Sequence, residues 1–298
     1  MDIQKLLFVT KFDELRFDAL QSLLPLQKAA LNHVVFLNVI EREKVALRRG
    51  KGYQKEEEVK LREKANIRFI DWAESLFEQG LEVGVYIVVG DYVKQIVDAA
   101  AKEEVDLIVL SPAKKGKLEK LFSGSEVTEI LHRAGVPVLV YKNLTPGAVI
   151  TDKPFDRVLF TTDWSPASDT AIATLKKLGG LINEIHVAHV AHESSLNGDS
   201  AMAVQKTRKD TRNKLERICD VFEAEGIHSR PHVYIGNVEK EIEKAAHECR
   251  ATMIVAGTKM QQSWKDKILG SLTKTLIETS IFPVLLVPPA KPEQTTEQ

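Results

Sequence analysis

The chain has little cysteine: Cys219 and Cys249 are the two among 298 residues. They form no CxxC pair and no metal-ligand spacing, and both fall in helical segments. The sequence therefore predicts two reduced cytosolic thiols and no disulfide framework. Excess charge of one sign is also missing. Lys and Arg number 41 against 42 Asp and Glu, a net charge of −1. That balance gives no electrostatic reason to expect nucleic acid or an anionic membrane as a partner. No apolar run approaches the roughly 18–20 residues of a membrane helix. Met1-Asp2-Ile3-Gln4-Lys5 leads straight into an apolar strand without a cleavable signal pattern, so a cytoplasmic location is expected. Catalytic signatures are scarce. There is no GxxxxGK[ST] phosphate loop, and Ser123-Gly124-Ser125 lacks the following glycine of a nucleophile elbow. No general base stands out near Ser271, and no catalytic residue is assigned.

What the chain has is one design written twice. Asp106-Leu107-Ile108-Val109-Leu110, Gly124-Ser125 and Val136-Pro137-Val138-Leu139-Val140 recur as Thr252-Met253-Ile254-Val255-Ala256, Gly270-Ser271 and Phe282-Pro283-Val284-Leu285-Leu286-Val287. Gly90 and Gly236, Gly124 and Gly270, and Pro137 and Pro283 are each 146 positions apart. A register held that long marks an internal duplication. The length suits two domains of roughly 150 residues.

Each copy opens with a buried-strand pattern, Leu6-Leu7-Phe8-Val9-Thr10 or Val158-Leu159-Phe160-Thr161-Thr162. A helix is expected over about 14–30 and 166–180. Ser165 would be the N-cap and Pro166 the first turn of the second, and Pro25 would kink or split the first. Strands over 33–39 and 185–190 follow. A long amphipathic helix then stops near Gly80 or Gly226. Strands ending at Gly90 or Gly236, two further helices and two further strands complete each unit. The order β-α-β-α-β-α-β-α-β implies a parallel sheet with right-handed crossovers and helices on both faces. Residues 1–143 and 155–289 are the expected domains, 144–154 the linker and 290–298 a disordered tail.

In an open parallel sheet, ligands bind beyond the carboxyl ends of the strands. There the second copy places Thr161-Thr162-Asp163, and Ala256-Gly257-Thr258-Lys259-Met260. Nine residues after Met260, Gly270-Ser271-Leu272-Thr273 opens a helix. Free backbone N–H groups, a dipole end and hydroxyls make such a segment an anion site, and a glycine allows close approach. His186, His189 and His192 resemble a metal cluster. Residues three apart on a strand point to opposite faces, so no metal site is assigned. Lys114, Lys115, Lys117 and Lys120 read as a solvated face, and Trp264 as packing.

This pattern resembles the universal stress proteins in their tandem, two-domain form. The family's nucleotide-binding members carry Gly, two residues, Gly, nine residues, Gly and then Ser or Thr, with an Asp after the first strand. The resemblance implies two tandem five-stranded parallel sheets of the Rossmann-like, adenine nucleotide alpha hydrolase-like type, each a three-layer α/β/α unit. It places Asp163 on the adenosine portion, the backbone of Val190 at the adenine, Gly257 at the first motif glycine, and Gly270, Ser271 and Thr273 at the phosphates. Met260 stands where the second glycine belongs. In the first copy Lys11 replaces the Asp, Ser111 and Lys114 replace the early glycines around Pro112, and Val127 replaces the threonine. That copy is expected to be degenerate. The resemblance further implies a stress-response regulator or sensor that binds ATP or AMP, with or without Mg²⁺. The two domains would form an internal pseudo-dimer through their last strands, and a homodimer is allowed. The alternatives are a stress protein that binds no nucleotide and acts through an unknown protein partner, and a weak ATPase.

Overall fold

The computed structural model describes residues 2–10, 17–45, 53–110, 124–141, 152–192, 201–258 and 271–290. Lys11, Ser111, Pro112, Lys114, Met260, Trp264, Gly270 and most of the expected linker and tail lie outside them. The chain divides into two compact units, Met1–Pro154 and Phe155–Gln298.

The first unit runs β1 (Lys5–Thr10), α1 (Phe17–Leu23), β2 (His33–Glu41), α2 (Arg42–Val45), α3 (Lys55–Phe77), β3 (Glu82–Gly90), α4 (Tyr92–Glu103), β4 (Leu107–Leu110), α5 (Gly124–Ala134) and β5 (Val138–Val140). The second runs β6 (Arg157–Thr161), α6 (Pro166–Lys177), β7 (Glu184–His192), α7 (Ala201–Glu223), β8 (His228–Gly236), α8 (Val238–Glu248), β9 (Met253–Gly257), α9 (Ser271–Thr279) and β10 (Val284–Val287). Within the first unit the strand order is β3-β2-β1-β4-β5, and within the second β8-β7-β6-β9-β10. Neighbouring strands inside each unit are parallel.

This order follows from the sequence. Leu6 to Val9 and Val158 to Phe160 are fully buried, as strands covered on both faces must be. With right-handed crossovers, the steps β1→β2→β3 and β3→β4→β5 run in opposite directions. The first two connecting helices therefore cover one face and the last two the other. Accordingly α3 packs on β2 and β3, α4 on α5, and α8 on α9.

Local breaks have local causes. α1 ends at Leu23, and a 3-10 turn over Leu24–Ala29 carries Pro25 in its first positions, so the proline splits the expected helix. α6 stops at Lys177, and a 3-10 turn over Gly179–Leu181 follows. Gly80 and Gly226 take φ of +79° and +77° just past α3 and α7, the left-handed stop that glycine tolerates best. β5 and β10 begin later than their apolar runs suggest. Pro137 and Pro283 have no N–H to give the ladder and take part only as acceptors, from the backbone N–H of Ile108 (3.0 Å) and Ile254 (2.9 Å).

The cores differ between copies. In the first unit Trp72 of α3 meets Phe8, Phe17, Phe36 and Phe69, with the Phe36 and Phe69 rings stacked at 5.1 Å. The second unit has the single pair Phe160–Phe222, edge-to-face at 6.4 Å, among its described phenylalanines. The helix after the third strand is capped alike in both. Asp91 accepts from the Lys94 N–H at 2.9 Å and Asn237 from the Lys240 N–H at 3.0 Å. Each cap satisfies a backbone donor that the helix leaves open. Asp91→Ala or Asn237→Ala should lower stability by about 1 kcal/mol, read as an earlier urea midpoint with the slope unchanged.

Candidate functional site

β6 and β9 are neighbours whose connections leave in opposite directions, so their carboxyl ends open the crevice where α/β sheets take ligands. Register sets what meets there. Thr161 lies opposite Ala188 of β7 and Ala256 of β9, so Thr162, Asp163, His189, Gly257 and Thr258 gather at one edge.

The hydroxyls at this edge are engaged by the fold. Thr161 Oγ1 donates to the Val255 carbonyl at 3.4 Å, and Thr258 Oγ1 to the Val287 carbonyl at 3.2 Å. Thr162 Oγ1 accepts from the Trp164 N–H at 3.1 Å. Asp163 Oδ1 accepts from the Ser165 N–H and from Ser168 Oγ, each at 3.1 Å. That closes the turn into α6. Ser165 does sit at the N-cap, with Pro166 next. The expected side-chain cap is corrected, however: the Ser165 hydroxyl makes no capping bond, because Asp163 already gathers this turn. Ser165 Oγ is buried with no partner among the described residues.

Gly257 has a packing reason of its own. A Cβ there would lie 2.6 Å from Ala167 C and Ser168 N. β9 thus passes against the backbone of α6's first turn, and any side chain would clash. Thr273 is buried at 6% exposure, and its repeat counterpart Val127 is fully buried. Position 273 therefore faces the core in both copies. Leu272, half-buried, follows Ser271 at the start of α9. Val190 is half-buried in β7, opposite Tyr234.

Sequence reasoning missed three side chains beside Asp163. Trp164, at φ +58° and 37% exposed, lies against the His189 ring with centroids 3.9 Å apart. Lys214 of α7 holds its ammonium 5.0 Å above the Trp164 ring, a cation–π arrangement. His189 Nδ1 donates to the Thr162 carbonyl at 2.8 Å, which puts the ring proton on Nδ1. In the first unit Asn38 Nδ2 donates to the Thr10 carbonyl at 3.2 Å from the corresponding place. The tie between the first two strand ends is thus duplicated, and the copies use different side chains for it.

Comparison with known proteins agrees with this architecture. The model of the universal stress protein family matches residues 2–142 and again 154–288. The chain belongs to that family, as a tandem two-domain member. It is 26% identical over 153 residues to Universal stress protein MJ0577 of Methanocaldococcus jannaschii, covering 45% of this chain and 94% of that one. Among solved structures, a universal stress protein from Archaeoglobus fulgidus is similar at TM-score 0.72 and 24% identity, over 97% of this chain and 98% of that chain. A functionally unknown protein from Pseudomonas aeruginosa follows at TM-score 0.65 and 18% identity, over 96% and 93%. These two likenesses establish the Rossmann-like α/β fold.

Two outcomes follow. Gly257→Ala should destabilise by about 1–3 kcal/mol through overpacking. Gly180→Ala, where an added Cβ meets nothing within 4 Å, should be near neutral; urea melts of both check this. Burial, the largest cause, holds His189 below its ordinary pKa of 6.5, against the Thr162 carbonyl and Asp163, which raise it. The unfolded chain therefore protonates first, so this contribution to stability is full above pH 6.5 and is lost as pH falls. His189→Gln should flatten the fall in stability below pH 6.5 in denaturation series.

Proposed function

We propose that this universal stress protein is a stress-response regulator or sensor whose second unit takes an adenine nucleotide, ATP or AMP, beyond β6 and β9. The observation that carries the reading is the meeting of Asp163 with the Gly257-Thr258 strand end at the sheet's switch point, in a chain of this family. Ser165 Oγ, buried without a partner among the described residues and two residues from Asp163, adds a hydrogen-bonding group at the same edge.

The residues present fit such a ligand. Asp163 is exposed, and its side chain is pre-oriented by Ser165 and Ser168. It would accept from the hydroxyls of a ribose, and the Val190 backbone would face the base. The first turn of α9, from Ser271 through Leu272 and Thr273, leaves backbone N–H groups for phosphate. Lys214 offers an exposed cation over Trp164. Gly270 continues the motif in sequence, while Met260 stands where its second glycine belongs and is the residue that would separate ATP from AMP. Mg²⁺ would enter on the nucleotide's phosphates. A cytoplasmic setting goes with this reading.

One specific observation favours a second reading, a member that binds no nucleotide and works through a protein partner. The hydroxyls of Thr161, Thr162 and Thr258, and the room at Gly257, are all taken up by the fold itself.

Calorimetric titration of Mg-ATP, then AMP, into nucleotide-stripped protein separates the two. The expected result is saturation at about one nucleotide per chain. Asp163→Asn keeps an acceptor for the α6 turn while removing the charge. It should weaken binding by about ten- to a hundredfold, the loss of a charged hydrogen bond, without moving the urea midpoint. Failure of both nucleotides to bind the wild type would leave the partner reading standing.

A further inference from the structure

The second unit carries a cluster that the strand-end site does not use. It lies on the α8 face, whereas His189, Trp164 and Lys214 belong to the α7 side. Ala188 pairs in register with His232, and His186 is two residues before Ala188 on β7. Side chains two apart on a strand share a face, so His186 and His232 meet across the two strands. Cys249 closes the end of α8, which packs on β7 and β8. His186 Nδ1 lies 3.0 Å from His232 Nε2, and His232 Nε2 lies 4.0 Å from Cys249 Sγ. All three potential donor atoms fall within 4.8 Å of one another.

We propose that His186, His232 and Cys249 form a binding site for one divalent cation of the zinc class. Imidazole nitrogen and thiolate sulfur are the donors that such borderline-soft ions select. Tetrahedral bonds of about 2.05 Å to nitrogen and 2.3 Å to sulfur set ligand separations of about 3.3 Å for N···N and 3.6 Å for N···S. The observed 3.0 and 4.0 Å each depart from these by a few tenths of an ångström, in opposite directions. The third pair, His186 Nδ1 and Cys249 Sγ, lies within 4.8 Å, so binding would draw the Cys249 side chain inward by rotation about its χ1. Three protein ligands leave the fourth position to water or to an incoming group.

The surroundings are those a ligating imidazole needs. His186 turns its other nitrogen, Nε2, toward Glu184 Oε2 at 3.4 Å. Arg230 holds the second Glu184 oxygen at 2.8 Å. The Glu184 carboxylate thus lies behind the ring at ion-pair distance, outside hydrogen-bond geometry; closing that gap on metal binding would fix the tautomer and raise ligand basicity. As the sulfur–metal bond forms, the Cys249 S–H bond breaks and its proton goes to solvent. The proton shared between the two imidazoles moves to a nitrogen that does not face the ion. No electron is transferred.

The site is independent of the nucleotide reading. The test uses the full chain, stripped by chelator under reducing conditions, then titrated with Zn²⁺ and Co²⁺. The expected result is one ion per chain, a sulfur-to-cobalt charge-transfer band in the near ultraviolet, and a thermal midpoint that rises with Zn²⁺. Cys249→Ser should abolish the band, and His232→Gln should weaken binding further than Glu184→Gln, which should cost about 10- to 100-fold in affinity. Cys219→Ser should change nothing, because Cys219 belongs to α7 on the other face. Absence of saturable binding by the wild type overturns the proposal, whatever the variants do. So does a Cys249→Ser protein that keeps the affinity, or a band that disappears with Cys219 instead.

Discussion

The close passage of β9 against the first turn of α6 is the constraint on which the second unit's strand-end site depends. With no Cβ at Gly257, the strand end reaches backbone atoms of Ala167 and Ser168. Asp163 then ties Ser165 and Ser168 from the other side. The turn between β6 and α6 is held from both directions. Trp164 can therefore keep a left-handed backbone, which costs an ordinary residue roughly 1–2 kcal/mol. That cost is offset by the tilted contact of its ring with His189 and by the Lys214 ammonium above it.

The duplication allows structural needs to be told from chemical ones. Positions filled alike in both copies are explained by the fold: the caps Asp91 and Asn237, and the prolines that accept at the head of β5 and β10. Val127 and Thr273 are both buried, so the threonine's inward pose is inherited from packing. Asn38 and His189 make the same tie to a strand-end carbonyl. Yet only the histidine brings a ring that an indole can cover. The repeat counterpart of Asp163 in sequence is Lys11. That contrast of charge has no packing explanation in the second unit, where an amide at 163 would close the α6 turn as well.

Much of the fold was legible in the sequence because its signals are local. Continuous apolar runs mark buried parallel strands, and Gly80 and Gly226 mark helix ends. Pro25 marks a split helix. The site was legible only where a residue's role follows from its own position, as for Asp163 at a strand end. Trp164, His189 and Lys214 come together through the β6–β7 register and the pose of α7, which spacing along the chain does not encode. The Ser165 cap differs for a local reason: Asp163, two residues earlier, accepts from the Ser165 N–H and the Ser168 hydroxyl and closes the turn itself. The histidine run shows the limit most clearly. His186 and His189 do point to opposite faces, as strand periodicity requires, but His186 finds its partners on β8 and α8.

β7 therefore carries histidines on both of its faces. Its odd-numbered side shows His189 to the strand-end crevice, and its even-numbered side shows His186 to His232 and Cys249. The strand is rigid in the sense that matters, paired along its length with β8 and along half of it with β6. A ligand on either face that binds only the folded chain stabilises the same sheet by mass action. Occupancy of one site thus protects the other from unfolding, even where neither changes the other's intrinsic affinity. Coupling of affinity is a stronger condition. It requires two arrangements of β7 that the ligands distinguish, and a strand held by ladders on both sides has little freedom to supply them. With both proposed sites filled, the second unit would hold two ligands side by side rather than relay one to the other.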